Sequence, residues 1–326
     1  MNSNKVYENG MIGLVVGDAL GCPVQFMSRE AIKRRGLVSG MEGYGTYNMP
    51  EGTWTDDSSM ALAALASIVE KKTVDPEDIM RRFVDWDRNG AYTPFGRAFD
   101  QGGTCTEAID NFLRDGSIEN CGPDSEFSNG NGSLMRILPI CIAAYLCQKE
   151  NNLNDEEAIG MVDKASALTH RHARSKMACG IYWFLVKAIM DQHDDPLMKC
   201  MASGIKEAEN FYQKHSDRHE WSCYSKMSDL KTFSALPESE IKSSGYVVDS
   251  LEAAVWCLIT TKDLPSALLK AVNLGGDTDT IAAIAGGLAG LYYGKEAIPE
   301  KWLSTIKRLE WIVTLCSEAE ECEIKF

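Results

Sequence analysis

The sequence predicts an all-α fold, and three observations carry that expectation. Sustained alternation with a period of two is absent from the 326 residues, which leaves no clear strand signal. Residues 60–69 and 281–293 are apolar on nearly every face, as helices buried in a core are. Helix-start signals recur, with a capping residue and early acids at Asp75-Pro76-Glu77 and at Asn154-Asp155-Glu156-Glu157. Hydrophobic residues at 44% and charged residues at 25% are ordinary globular values. No proline-rich linker interrupts the chain, so residues 1–326 read as one domain.

In chain order, residues 11–20 form a small-residue apolar segment ending in Gly17-Asp18-Ala19-Leu20-Gly21. It reads as a short buried helix stopped by Gly21 and Pro23. Residues 36–52 are rich in glycine and polar groups and read as a loop. That loop leads to Thr53-Trp54-Thr55-Asp56-Asp57-Ser58-Ser59, the mouth of the apolar helix over 60–69. The helix opened by Asp75-Pro76 closes near Asn89-Gly90. Residues 92–106 mix aromatics with glycines, either as a plug on the core or as a clamp for a planar ring. Ser128-Asn129-Gly130-Asn131-Gly132-Ser133 reads as a turn opening a helix at Leu134, suited to offering backbone N–H groups to an anion. Another helix runs from Asn154 to Thr169-His170-Arg171-His172, and residues 177–190 are again apolar. Residues 216–245 read as a long polar loop with some helix, residues 247–258 and 265–272 as helices, and residues 317–326 as an acidic, solvated tail.

A net charge of −14, with no basic run beyond Lys33-Arg34-Arg35 and Arg81-Arg82, argues against nucleic acid and anionic membrane as partners. Eleven cysteines without a C-x-x-C pair read as reduced thiols in a cytoplasmic protein. No run approaches the roughly 18 apolar residues of a membrane span. Without an exposed heptad pattern the expectation is a monomer.

The chemistry concentrates at two helix mouths. Gly275-Gly276-Asp277-Thr278-Asp279-Thr280 precedes thirteen uncharged residues, and Thr55-Asp56-Asp57 precedes the other apolar helix. One acid suffices to cap a helix. Two acids with flanking hydroxyls offer more oxygen than a cap uses, and buried carboxylates are costly without a cation. If the two mouths adjoin, six oxygens converge on a site for two divalent cations about 3.5–4 Å apart. Oxygen-only ligands favour Mg2+ or Mn2+ over zinc. The alternative reading is two over-decorated caps on core helices. His215 and His219 have a spacing that fits zinc, but no third ligand accompanies them, and they read as solvated surface. No nucleophile-elbow signature is present. The Asp56-Asp57 pair is similar to the acidic motif of all-α prenyl-chain enzymes, but Asp57-Ser58-Ser59-Met60 lacks the further acid.

Five motifs in order give a stronger identification: Gly17-Asp18-Ala19-Leu20-Gly21, Thr53-Trp54-Thr55-Asp56-Asp57, Asn129 to Arg136, Thr169-His170, and Leu274 to Thr280. Over about residues 7–312 the chain resembles the ADP-ribosylglycohydrolases, the group that includes dinitrogenase reductase-activating glycohydrolase. The resemblance implies a compact, single-domain orthogonal helical bundle with a binuclear Mg2+ or Mn2+ site. It implies hydrolysis at the anomeric carbon of ADP-ribose attached to a side chain, commonly arginine, on a mono-ADP-ribosylated protein or small molecule. Carried over by position, Thr55, Asp56, Asp57, Asp277, Asp279 and Thr280 become metal ligands. Asp100, in the loop that contains Gly102, becomes a helper acid beside Asp56 and Asp279. Asn131, Gly132, Ser133 and His170 receive the pyrophosphate. Gln25 stands where many members carry glutamate; an amide can hydrogen-bond a ribose hydroxyl but holds no charge. That departure argues against serine-linked substrates. Two other functions use the same site: a nucleotide-pyrophosphate phosphohydrolase, which would release AMP, and a crystallin-like or ADP-ribose-binding protein without catalysis.

Overall fold

The computed structural model describes residues 5–324. Its first half comprises α1 (Val6–Gly21), α2 (Arg29–Arg35), α3 (Asp56–Lys71), α4 (Pro76–Asn89), α5 (Gly103–Asp115), α6 (Leu138–Asn151) and α7 (Asp155–Ala167). Then come α8 (Ala173–Asp191), α9 (Leu197–Tyr212), α10 (Leu230–Ser234), α11 (Val247–Ile259) and α12 (Leu264–Asn273). The chain ends with α13 (Thr278–Tyr293), α14 (Glu300–Leu303) and α15 (Leu309–Glu320). No strand occurs among the described residues, only one isolated bridge between Gly130 and Tyr246. The fold is an all-α bundle, as the sequence predicts. No single described helix is long and apolar enough to cross a membrane.

α1 and α13 run antiparallel with their backbones in contact. Gly13, Gly17 and Gly21 recur every fourth residue on one face of α1, opposite Ala282, Gly286 and Gly290 of α13. A Cβ on Gly17 would lie 2.0 Å from the Ala282 carbonyl oxygen, and one on Gly13 would lie 2.2 Å from that of Gly286. Glycine costs a helix roughly 1 kcal/mol relative to alanine. Here the cost is offset by packing contacts that a side chain would prevent. α11 and α12 flank α13, α3 and α15 lie against α1, and α6 to α9 close the other side. One hydrophobic cluster runs through all of them, with Trp54, Trp183, Tyr182 and Phe184 fully inside.

Three local expectations are corrected. The turn at 128–133 does not open a helix at Leu134: residues 131–137 form successive turns, and α6 starts at Leu138. Pro139 sets the first turn of α6 because it has no N–H to continue a helix arriving from upstream. Buried Arg136 pins the turn by donating to Thr169 Oγ1 at 2.6 Å. The stretch over 216–245 is packed rather than open, with Trp221, Tyr224, Met227, Leu230 and Phe233 buried. The acidic tail is not simply solvated. Its residues 317–320 complete α15, and Glu320 accepts the N–H groups of Tyr7 at 2.6 Å and Glu8 at 3.1 Å. That carboxylate serves the first turn of α1, which has no cap of its own. Residues 325–326 of the expected tail lie outside the described residues. All eleven cysteines are free thiols.

The α1–α13 contact gives a test by substitution. Gly17→Ala should lower stability by more than the ~1–3 kcal/mol typical of overpacking, because the clash is with backbone. Gly160→Ala in α7, with nothing within 4 Å of the new Cβ, should stabilise by up to about 1 kcal/mol. Denaturant midpoints of the two variants check this; equal shifts would remove the significance of the glycine face.

Candidate active site

Three helix ends meet at one point. Gly21, at the end of α1, lies against the first turn of α13, where a Cβ on it would be 2.3 Å from Asp279 N. Thr278 Oγ1 donates to the Gly21 carbonyl at 2.8 Å. Asp18, one turn earlier on α1, reaches the start of α3. Its carboxylate accepts the N–H groups of Thr55 and Ser58 at 3.0 Å and the Ser58 hydroxyl at 2.5 Å. The N-terminal cap of α3 is therefore a residue of another helix. Neither Thr55 at the start of α3 nor Asp277 at the start of α13 caps its helix through a side chain. Capping does not account for the acids at these mouths.

The acids are buried together. Asp57 is 1% exposed and Asp279 0%. The hydroxyls of Thr55 and Thr280 both donate to Asp57 Oδ2, at 3.2 and 3.4 Å. Asp57 Oδ1 and both oxygens of Asp279 have no hydrogen-bond partner. Gln25 Nε2 donates to Asp277 Oδ1 at 3.3 Å, and Asn131 Nδ2 donates to Oδ2 at 2.6 Å. Burial holds the carboxyls of Asp56, Asp57 and Asp279 well above the usual carboxylate range, and the neighbouring acids add to it. Burial also raises Asp18, to about 6, against the hydrogen bonds from Ser58 and Thr55. Among the described residues, no Lys or Arg lines the cleft above them. Partnerless oxygens among crowded acids fit hard divalent cations, and Thr55, Asp56, Asp57, Asp277, Asp279 and Thr280 are the residues that would hold them.

The turn that delivers Asp277 is built by glycine. Gly275 and Gly276 have φ of 72° and 75°, the left-handed region. A Cβ on Gly276 would lie 2.0 Å from the Ser243 carbonyl oxygen. Gly276 N–H donates to Met27 O at 2.8 Å and Asp277 N–H to Ser243 O at 2.9 Å. Arg29 secures the turn from outside, donating to Leu274 O and Ile241 O at 2.9 Å and to Glu238 O at 2.5 Å.

The cleft has a volume of about 210 Å3 and opens to solvent. Gln25, Asp56, Asp100, Gly102, Asn131, Gly132, His170, Asp277 and Thr280 all border it, together with Phe26 and Cys105. Ser133 departs from expectation. It is fully buried off the cleft wall, and its hydroxyl is engaged by Ser166 at 3.0 Å and the Cys179 thiol at 3.5 Å. The Asn131 N–H is likewise spent, on Gly245 O at 3.0 Å. His170 is held neutral: burial lowers it to about 3, with Arg136 adding to the effect. Its Nδ1 pairs with Thr169 Oγ1 at 2.9 Å, and the far edge of the ring adjoins Gly130 and Gly132. Asp100 has φ 63° and one oxygen bound by the Tyr47 hydroxyl, while the other has no partner. Burial raises its carboxyl, and the hydrogen bond from Tyr47 opposes that rise.

Sequence reasoning missed Asp18 as the cap of α3 and Tyr47 as the partner of Asp100. Aspartate before the small residues that close α1 was the one available signal for the first. Away from the cleft, Glu126, His172 and Glu220 bring ligand atoms within 4.8 Å of one another. Arg174 already donates to both glutamates at 2.7 Å, so their charge is met without an ion. His215 and His219 pair with different residues, Glu156 and Glu220.

Known proteins resemble this chain in sequence and in fold. A sequence model of the ADP-ribosylglycohydrolases matches residues 4–324. The chain is 29% identical over 322 residues to the ADP-ribosylarginine hydrolase Tri1 of Serratia proteamaculans (strain 568), spanning 95% of this chain and 78% of that one. It is 31% identical over 296 residues to the ADP-ribosyl-(dinitrogen reductase) glycohydrolase of Rhodospirillum rubrum, spanning 90% of this chain and 88% of the other. A solved ADP-ribosylglycohydrolase-related protein complex superposes with a TM-score of 0.78 at 27% identity, over 98% of this chain and 99% of that one.

The crowded acids give a pH dependence of defined sign. Raised carboxyls in the folded state hold protons that the unfolded chain has already released, so stability falls as pH rises from about 4 through the raised values. In EDTA the unfolding midpoint should be lower at about pH 8 than at about pH 5, and added Mn2+ should raise it more at the higher pH. A midpoint that rises over that range and ignores Mn2+ would refute the charge account.

Proposed function

Because the chain belongs to the ADP-ribosylglycohydrolase family, we propose that it removes ADP-ribose from modified arginine side chains with the help of two divalent cations. The family enzymes are hydrolases that release ADP-ribose; the arginine linkage and the metals are the further reading. The observation that carries it is the set of partnerless oxygens on Asp57 and Asp279 where α1, α3 and α13 meet. Arginine as the linkage is supported by the relative named an ADP-ribosylarginine hydrolase and by Gln25 in place of an acid.

In hydrolysis, the bond from the anomeric carbon to the guanidine nitrogen breaks and a bond from water oxygen to that carbon forms. One water proton passes to a carboxylate, and the leaving nitrogen takes up a proton. Mg2+ or Mn2+ held by Thr55, Asp56, Asp57, Asp277, Asp279 and Thr280 would orient the ribose hydroxyls and make water a stronger nucleophile. Asp100 is the residue to hold the proton. Burial raises its carboxyl, which favours holding a proton, and Tyr47 fixes one oxygen while leaving the other free. Gln25 and Asn131 orient Asp277 through its two oxygens. Gly130, Gly132 and His170 border the cleft together and would present backbone and a neutral ring to the pyrophosphate.

The test is release of free ADP-ribose from mono-ADP-ribosylated arginine and serine peptides, in Mg2+, in Mn2+ and in EDTA. Metal-dependent release from the arginine peptide alone is expected, with Asp279→Ala losing both turnover and tight metal binding. Release of AMP instead would identify a pyrophosphate hydrolase, and full activity in EDTA would refute the metal reading.

A further inference from the structure

Phe26 follows Gln25 on the lip of the cleft and forms part of its lining. It is 67% exposed, although the core that could have taken the ring is close by. Its backbone is left-handed, with φ 63°, a conformation that a bulky residue adopts only when its surroundings impose it. The surroundings do impose it. Phe26 N–H donates to Gly276 O at 2.7 Å, and Met27 N–H donates to Val24 O at 3.0 Å. The turn that delivers Asp277 thus also holds an aromatic ring out at the mouth of the cleft. Tyr44 accompanies it: it is 73% exposed, also left-handed at φ 60°, and its loop is tied to the segment that carries Phe26 by the Thr46 hydroxyl on Gln25 O at 2.7 Å.

The side of the cleft matters. With the pyrophosphate on the wall of Gly130, Gly132 and His170, the leaving side chain must lie within reach of the proton on Asp100. Phe26 and Asp100 border the same cleft, and the 46–47 loop joins them: the Thr46 hydroxyl donates to Gln25 O at 2.7 Å and the Tyr47 hydroxyl donates to Asp100. We infer that Phe26 is a specificity-determining residue whose ring packs against the guanidinium of the ADP-ribosylated arginine. The inference rests on the arginine reading above. A planar cation is attracted to an aromatic face, and a serine hydroxyl gains nothing comparable from it. No described Lys or Arg lines the cleft to repel such a cation.

Two variants separate the ring from the backbone. Phe26→Asn removes the ring but keeps a residue that tolerates the left-handed turn, and Phe26→Trp keeps an aromatic face. With ADP-ribosyl-arginine as substrate, Phe26→Asn should raise KM roughly three- to thirty-fold and leave kcat within about twofold. Phe26→Trp should stay close to the unchanged protein. Inhibition by free ADP-ribose should be the same in all three, because the ring touches the leaving group and not the nucleotide. An unchanged KM in Phe26→Asn overturns the inference, as does a parallel loss of ADP-ribose inhibition, which would move Phe26 to the nucleotide. If the unchanged protein releases nothing from arginine, the proposed function fails with it; arginine turnover with an unaffected Phe26→Asn overturns the role of Phe26 alone.

Discussion

The backbone contact between α1 and α13 is the constraint on which the rest depends. It exists because Gly13 and Gly17 leave room for the carbonyls of Gly286 and Ala282. It brings the end of one helix to the start of the other, and so sets Asp18 and Asp279 on either side of Gly21. From there Asp18 reaches across to Thr55 and Ser58 and fixes where α3 begins. One helix thereby positions both acidic mouths. Their registry comes from the scaffold, so Asp57 Oδ1 and both oxygens of Asp279 need make no structural bonds of their own.

That division of labour explains the electrostatics. If Asp56 or Asp57 capped α3, backbone N–H groups would stabilise its charge and lower its affinity for a cation. With Asp18 as the cap, Asp57 Oδ1 and both oxygens of Asp279 stay without partners while burial disfavours their ionised forms. The folded chain stores this unfavourable term at its site, and the α1–α13 packing tolerates it. Oxygen ligands deprotonated by a bound cation would relieve it, which links metal affinity to fold stability.

Much of this was legible in the sequence because it is local. Adjacent acids with hydroxyls at the start of an apolar helix are a pattern within a few residues, and Asp56, Asp57, Asp277 and Asp279 stand out from it. The glycine pair before Asp277 likewise signals a turn, and both glycines have the positive φ that such a turn demands. What stayed hidden depends on partners far apart in the chain. Asp18 caps a helix 37 residues on, Tyr47 binds Asp100 across 53 residues, and Glu320 serves the first turn of α1. Ser133 was misread for a related reason: its motif has the composition of an anion-binding turn, but the packing of α7 and α8 against it takes the hydroxyl. Composition also misled over 216–245, where polar residues outnumber a few large apolar ones that do the packing.

The central claim is that the partnerless carboxylate oxygens are a cation site created by scaffold-borne capping. The most direct measurement is anomalous scattering from crystals of the protein grown with Mn2+. The account predicts two peaks bounded by Asp57 and Asp279, about 3.5–4 Å apart as in other binuclear sites. Absence of Mn2+ from these acids, with the ion bound elsewhere or not at all, would contradict it.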